Sequence, residues 1–133
     1  MNAKRKTESV TRNTTAHKVD RFGRCPCSGK NLPKLVQPAI LRALSDGPLH
    51  GYALKERIAA LYTAGMNAPP AAGVYRSLPR MESCGYLVSH LEQTKTGPAR
   101  RVYAITTDGR ACLARWLQSL TQYRRALDSL LDR

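Results

Sequence analysis

Cys25 and Cys27, in the segment Cys25-Pro26-Cys27-Ser28-Gly29-Lys30, are the residues best suited to chemistry in this chain. Closely spaced thiolates bind soft cations, and exposed ones can sense oxidants. A structural zinc site needs four ligands in tetrahedral geometry. Residues 30–37 supply none, so Cys84, Cys112, His17 or a second chain would have to complete such a site. The plainer alternative is two exposed thiols, too close to bridge comfortably to each other. Cys84 and Cys112 stand on or beside apolar faces and are expected as small core residues. His17 and His90 are expected on the surface, and His50 in a turn where it satisfies local backbone. No paired carboxylates share a helix face, no Gly-rich phosphate loop follows a strand, and no Ser or Cys nucleophile has a placed base. The expectation is therefore a protein that is not an enzyme and carries no cofactor.

A second set of residues is suited to binding. Arg76 and Arg80 lie four apart, and Lys95, Arg100 and Arg101 follow within about two dozen residues. The whole chain of 133 residues holds 22 Lys and Arg against nine Asp and Glu, a formal charge of +13 with a pI near 10.2. Such an excess favours a polyanion, either nucleic acid or an anionic membrane. No run of about 18 apolar residues is present to span a bilayer, and no apolar segment follows the basic N-terminus to make a secretory signal. Nucleic acid is the better partner. Four cysteines at these spacings do not resemble a secreted disulfide framework, so a reducing cytoplasm is the expected location.

The elements that must position these cations follow from the apolar spacing. Residues 1–31 read as a basic, disordered arm containing the Cys-Pro-Cys segment. From Met1 to Lys30 it has eight Lys or Arg against two acids, a net of +6, and too little apolar surface to order itself. It would act as a solubilising arm, or lie along DNA phosphates. A helix is expected from Pro38 to Ser45, with Ile40, Leu41 and Leu44 as its stripe, preceded by Leu32, Leu35 and Val36 in a short extra turn. Asp46-Gly47-Pro48 stops it. A second helix should run from Gly51 to Tyr62, burying Tyr52, Leu54, Ile58 and Leu61. Pro69-Pro70 keeps the following connector extended. A third helix should run from Ala71 or Ala72 to Gly85, with Val74, Leu78 and Met81 inward, although Pro79 removes one backbone bond within it.

Tyr86 to Leu91 and Val102 to Thr106 then carry β-formers around a turn-rich tip from Thr94 to Pro98. Thr107 or Asp108 should cap a last helix from about Gly109 to Leu131. There Leu113, Trp116, Leu117, Leu120, Leu127 and Leu130, with Tyr123 or Arg124 between, follow an alternating three–four spacing, the seam of a partner helix. Three helices, a basic hairpin and a final helix predict a mainly α (α+β) winged helix-turn-helix domain over residues 32–108, with a dimerisation helix over 109–133. In such a unit the third helix enters the major groove and the hairpin meets the neighbouring backbone or minor groove. Arg76 and Arg80 would reach base edges or phosphates, and Lys95, Arg100 and Arg101 would grip phosphates. Alternatively, all five are simply a solvated face.

These segments also carry a family likeness. "LSDGPLHGYALKERI" resembles the HGY signature of PadR-type transcriptional regulators, "GVYRSLPRMESCGYL" is similar to their recognition helix, and "GPARRVYAITTDGR" resembles their wing and its exit. Together they cover residues 36 to 120 in order. The resemblance implies a homodimeric DNA-binding regulator acting on a palindromic operator, a repressor released by a small-molecule effector. It implies Tyr75, Arg76, Arg100 and Arg101 as DNA-facing residues, and a structural turn at His50, Gly51 and Tyr52. Its short C-terminal helix is similar to that of the smaller members. Residues 25–30 also resemble the opening of the SEC-C zinc motif, which has an extra Gly before its Ser and further ligands close by. Two other functions stay open: a thiol-based metal-binding or redox-sensing adapter or regulator using Cys25 and Cys27, and a sequence-blind architectural DNA binder.

Overall fold

The computed structural model describes residues 35–62 and 68–132. The basic arm, with Cys25, Cys27 and His17, lies outside the described residues, so the expectations placed on it do too. The first helix, α1 (Val36–Leu44), buries Pro38, Ala39, Ile40, Leu41, Ala43 and Leu44 of its nine residues. Pro38 is its third residue rather than its first, still within the turn whose N–H groups have no helical partner. Leu35, before it, takes a left-handed backbone with φ 56°, and its carbonyl accepts from Ala39 N–H at 3.0 Å. At the other end, Ser45 Oγ donates to the Arg42 carbonyl at 2.7 Å, and Gly47 turns the chain out.

A two-residue strand, β1 (Leu49–His50), comes next and leads directly into α2 (Gly51–Ala60). No β1 was anticipated, because two residues carry no readable alternation. His50 does what its turn position suggested: Nδ1 accepts from the Ala53 N–H at 3.5 Å, at the N-cap of α2. Leu54 and Ile58 bury the inner side of α2. Tyr52 and Leu61, expected inward, are 64% and 45% exposed. Tyr52, two residues before Leu54, points to the opposite side of α2, and Leu61 is the C-cap residue just past the last helical turn.

The third helix, α3 (Ala71–Ser83), buries Val74, Ser77, Leu78 and Met81. It closes in a Schellman motif: Tyr86 N–H donates to the Met81 carbonyl at 3.0 Å and Gly85 N–H to the Glu82 carbonyl at 2.9 Å. Gly85 has φ 83°, a conformation open to glycine at little cost. Cys84 caps this turn and is exposed, which corrects its expected place in the core: the turn carries it past the buried face. Cys112 is half-buried against the core.

Strands β2 (Leu87–Glu92) and β3 (Arg100–Ile105) form the hairpin, and the antiparallel order is β1-β3-β2. The last helix, α4 (Thr107–Leu131), begins one or two residues earlier than anticipated. Its N-cap is Thr106, whose Oγ1 accepts from Gly109 N–H at 2.9 Å and donates to the Gly85 carbonyl at 2.6 Å. Asp108 adds a negative charge in the first turn, favourable to the helix dipole. Arg110 donates to the Ser45 carbonyl at 3.2 Å and Gln37 to Cys112 Sγ at 3.5 Å, tying α4 to α1. Ile40, Leu41, Leu44, Leu54, Ile58, Val74, Leu78, Met81, Leu87 and Leu113 make one core. Three helices, a hairpin wing and a C-terminal helix constitute a winged helix-turn-helix.

Gly109 sits where α4 crosses the turn before β2. A Cβ there would overlap the Tyr86 carbonyl oxygen and lie 2.7 Å from Ile105 Cγ1. Alanine favours helix over glycine by about 1 kcal/mol, but backbone cannot yield cheaply. Gly109→Ala is therefore expected to destabilise the fold by about 1–3 kcal/mol, read as a lower urea midpoint. An unchanged or raised midpoint would show that this crossing is loose.

Candidate nucleic-acid interface

Helix α3 presents one unbroken exposed stripe: Ala72, Tyr75, Arg76, Pro79, Arg80 and Ser83. These positions recur at three- and four-residue intervals, so they share one side of a helix, opposite Val74, Leu78 and Met81. The stripe is polar and cationic because the core side has taken the apolar residues. Pro79 lies within α3, as the sequence requires, and leaves the helix continuous. It stands on the exposed side and has no N–H to return to the Tyr75 carbonyl one turn before it. Ser77 is buried but satisfied, its Oγ donating to the Gly73 carbonyl at 3.0 Å.

Tyr75 differs from its neighbours on the stripe. It is 43% exposed, and its ring carbon lies 3.5 Å from where a Cβ on Gly51 would stand. It packs over the start of α2 as well as facing out. A Cβ on Gly51 would make only an ordinary van der Waals contact with the ring, so this packing does not itself demand glycine.

The hairpin sets its cations on opposite faces. Cross-strand pairs run Ser89 with Tyr103, Leu91 with Arg101, and Glu92 with Arg100. Because side chains alternate along a strand, Arg101 shares a face with Ser89 and Tyr103, while Arg100 shares the other with Glu92 and His90. Arg101 Nη1 donates to Ser89 Oγ at 3.0 Å, and Ser89 Oγ donates to Glu82 Oε2, in the last turn of α3, at 2.7 Å. Burial pushes the Tyr103 phenol above its ordinary pKa; the Glu82 carboxylate and Tyr75 add to the rise, while the Arg101 guanidinium opposes it. Tyr75, Glu82, Arg101 and Tyr103 thus lie near one another, between α3 and the wing. Lys95 stands at the exposed tip, where Thr94 Oγ1 donates to the Gly97 carbonyl at 2.7 Å. The structure therefore joins Arg101 to the side of α3 and leaves Arg100 on the far face. Sequence reasoning missed Glu82 and Ser89, whose roles depend on a contact between helix and strand that spacing does not encode.

Helix α4 divides into two parts. Gly109, Cys112, Leu113 and Trp116 pack on the domain's own core, so Leu113, expected on the partner seam, is buried within the chain itself. Beyond them Leu117, Tyr123, Leu127, Leu130 and Leu131 are exposed, the last two at 79% and 78%. Between α1 and α4 runs an open cleft of about 740 Å³, floored by Leu35, Pro38, Ala39, Leu61, Leu117 and Leu120. Tyr62 and Thr121 also border it, with Arg42 and Arg124 as its charged members. Among the described residues no cluster of three His, Cys, Asp or Glu side chains could hold a metal, and no helix is long and apolar enough to cross a membrane.

Comparison with known proteins agrees with this arrangement. Residues 40–115 match the Transcriptional regulator PadR-like family. The chain is 36% identical over 95 residues to "Transcriptional regulator Rv3488" of Mycobacterium tuberculosis, covering 71% of this chain and 78% of that protein. Its fold is similar to a PadR-like transcriptional regulator of Bacillus cereus, with a TM-score of 0.62 at 24% identity over 74% of this chain and 93% of the other. It is also similar to Bacillus subtilis PadR, solved in complex with operator DNA, with a TM-score of 0.53 at 23% identity over 63% of this chain and 47% of that one. With the winged domain, the turn at His50–Tyr52 and the profile match in agreement, the chain belongs to the PadR-like family of transcriptional regulators.

Proposed function

We propose that the chain is a sequence-specific regulator that binds duplex DNA as a homodimer, with α3 in the major groove and the hairpin on the flanking backbone. The observation that carries this reading is the exposed stripe of α3, on which Arg76 and Arg80 project from one side of a helix whose other side is core. The major groove, about 12 Å wide, accepts a single helix. Arg76 and Arg80 read base edges or phosphates, Tyr75 contributes from the start of the helix, Lys95 and Arg101 hold phosphates from the wing, and Arg100 would reach a phosphate only from the wing's other face. Family membership further supports a repressor on a palindromic operator that a small-molecule effector releases.

The test is affinity for duplex DNA from the promoter upstream of the protein's own coding sequence, against a scrambled duplex at about 150 mM salt. A specific site should bind about 10³-fold more tightly, with affinity falling steeply as salt rises. Arg76→Ala should lower operator affinity by about 1–3 kcal/mol; unchanged affinity would remove Arg76 from the reading surface. Equal binding of both duplexes would favour an architectural role.

The exposed outer part of α4 supports the dimer. Leu127, Leu130 and Leu131 would remain in water on a lone protomer, and the cleft between α1 and α4 is apolar with Arg42 and Arg124 beside it. A partner's α4 end, with Leu127, Leu130 and Leu131 exposed, complements that cleft in polarity. An effector entering the same cleft would alter how the protomers are set, and with it the spacing of the two α3 helices. Leu127→Glu with Leu130→Glu should convert a dimer to a folded monomer in sedimentation velocity. A dimer that survives both changes would place the interface elsewhere.

A further inference from the structure

The chain Glu82–Ser89–Arg101 joins the reading helix to both strands of the wing. Ser89 has one proton to give and spends it on Glu82 Oε2 at 2.7 Å; its lone pairs accept from Arg101 Nη1 at 3.0 Å. Ser89 and Glu82 are half-buried, whereas Arg101 is exposed. One of the five N–H groups of a guanidinium is thereby fixed, and the rest stay available on the exposed side.

Glu82 is otherwise hard to account for. A carboxylate in the last turn of a helix opposes the helix dipole, and beside a DNA-reading face it repels phosphate. A plain exposed ion pair would contribute too little to offset either cost. A half-buried hydroxyl between acid and base changes the balance, because it fixes the direction of both groups. Tyr103, opposite Ser89 on β3, walls the same space, and its raised phenol pKa reflects burial first and the nearby Glu82 carboxylate second. Arg100, on the other face opposite Glu92, has no such link to α3.

We propose that Glu82 and Ser89 are positioning residues for DNA recognition, aiming the Arg101 guanidinium from the wing at a phosphate beside the groove that α3 enters. The proposal rests on the DNA-binding reading above. In it Arg101 is a pre-set phosphate ligand, and the angle between wing and reading helix is held by a side-chain link in addition to the core.

The experiment uses the full chain and a duplex that the wild-type protein enriches from a random-sequence pool. Affinity is measured for wild type, Ser89→Ala, Arg101→Ala, the double variant and Ser89→Thr across a salt series, with far-UV circular dichroism and thermal melts confirming that each folds. Ser89→Ala and Arg101→Ala should each weaken binding about five- to tenfold, and each should reduce the slope of log K against log salt by about one per protomer. In the Arg101→Ala background, Ser89→Ala should cost nothing more, and Ser89→Thr should restore wild-type binding. Additive losses, or a loss with an unchanged salt slope, would overturn the positioning role while leaving DNA binding intact. A wild-type chain that binds no duplex would overturn the DNA-binding reading and this inference with it.

Discussion

The three other helices and the central strand β3 all pack on α1, and that enclosure is the constraint from which the rest follows. Ile40, Leu41 and Leu44 are fully buried, with α2, α3, α4 and β3 all against them. Six of nine residues are inside, so α1 has little polar face to give. The surrounding helices must each turn one apolar side inward and keep the other for water or a ligand. The outward stripe of α3 is a direct result: with Val74, Leu78 and Met81 committed to α1, the opposite side is free to carry Arg76 and Arg80.

Polar groups at the junctions keep this packing in register. Thr106 caps α4 while donating to Gly85, so one hydroxyl fixes both the helix start and the turn that begins the wing. Arg110 reaches back to the end of α1. Among the described residues no buried side-chain nitrogen or oxygen lacks a partner. Local turns are thus tied to tertiary contacts, and the hairpin is bonded to the end of α3 and, through the turn that begins it, to the start of α4.

Much of this was legible in the chain itself. Apolar spacing located the helices, Gly85 marked the end of α3, and β-formers around a turn-rich tip marked the hairpin. The misses have physical causes. β1 is too short for a period. Tyr52 and Cys84 have apolar character, but the geometry of their elements turns them outward. The adjacent pair Arg100-Arg101 reads as one cationic unit in sequence and divides across a sheet in three dimensions, because neighbouring strand residues face opposite ways. Ser89 and Glu82 are seven apart and unremarkable until a helix end and a strand are set side by side.

The length of α4 gives the protein a mechanical property. At 25 residues and about 1.5 Å of rise each, it is a rod of roughly 37 Å, clamped at its root by Gly109 and the Tyr86 carbonyl. That is close to the 34–36 Å between successive half-sites on a duplex. A tilt of about 10° at the root would sweep the tip through roughly 6 Å on a rod of that length. In the proposed dimer, joined near those tips, small adjustments at the joint would become changes of stride between its two α3 helices. Alpha-helical rods resist bending, so the protein would act on DNA much as a pair of dividers whose setting is adjusted at the hinge.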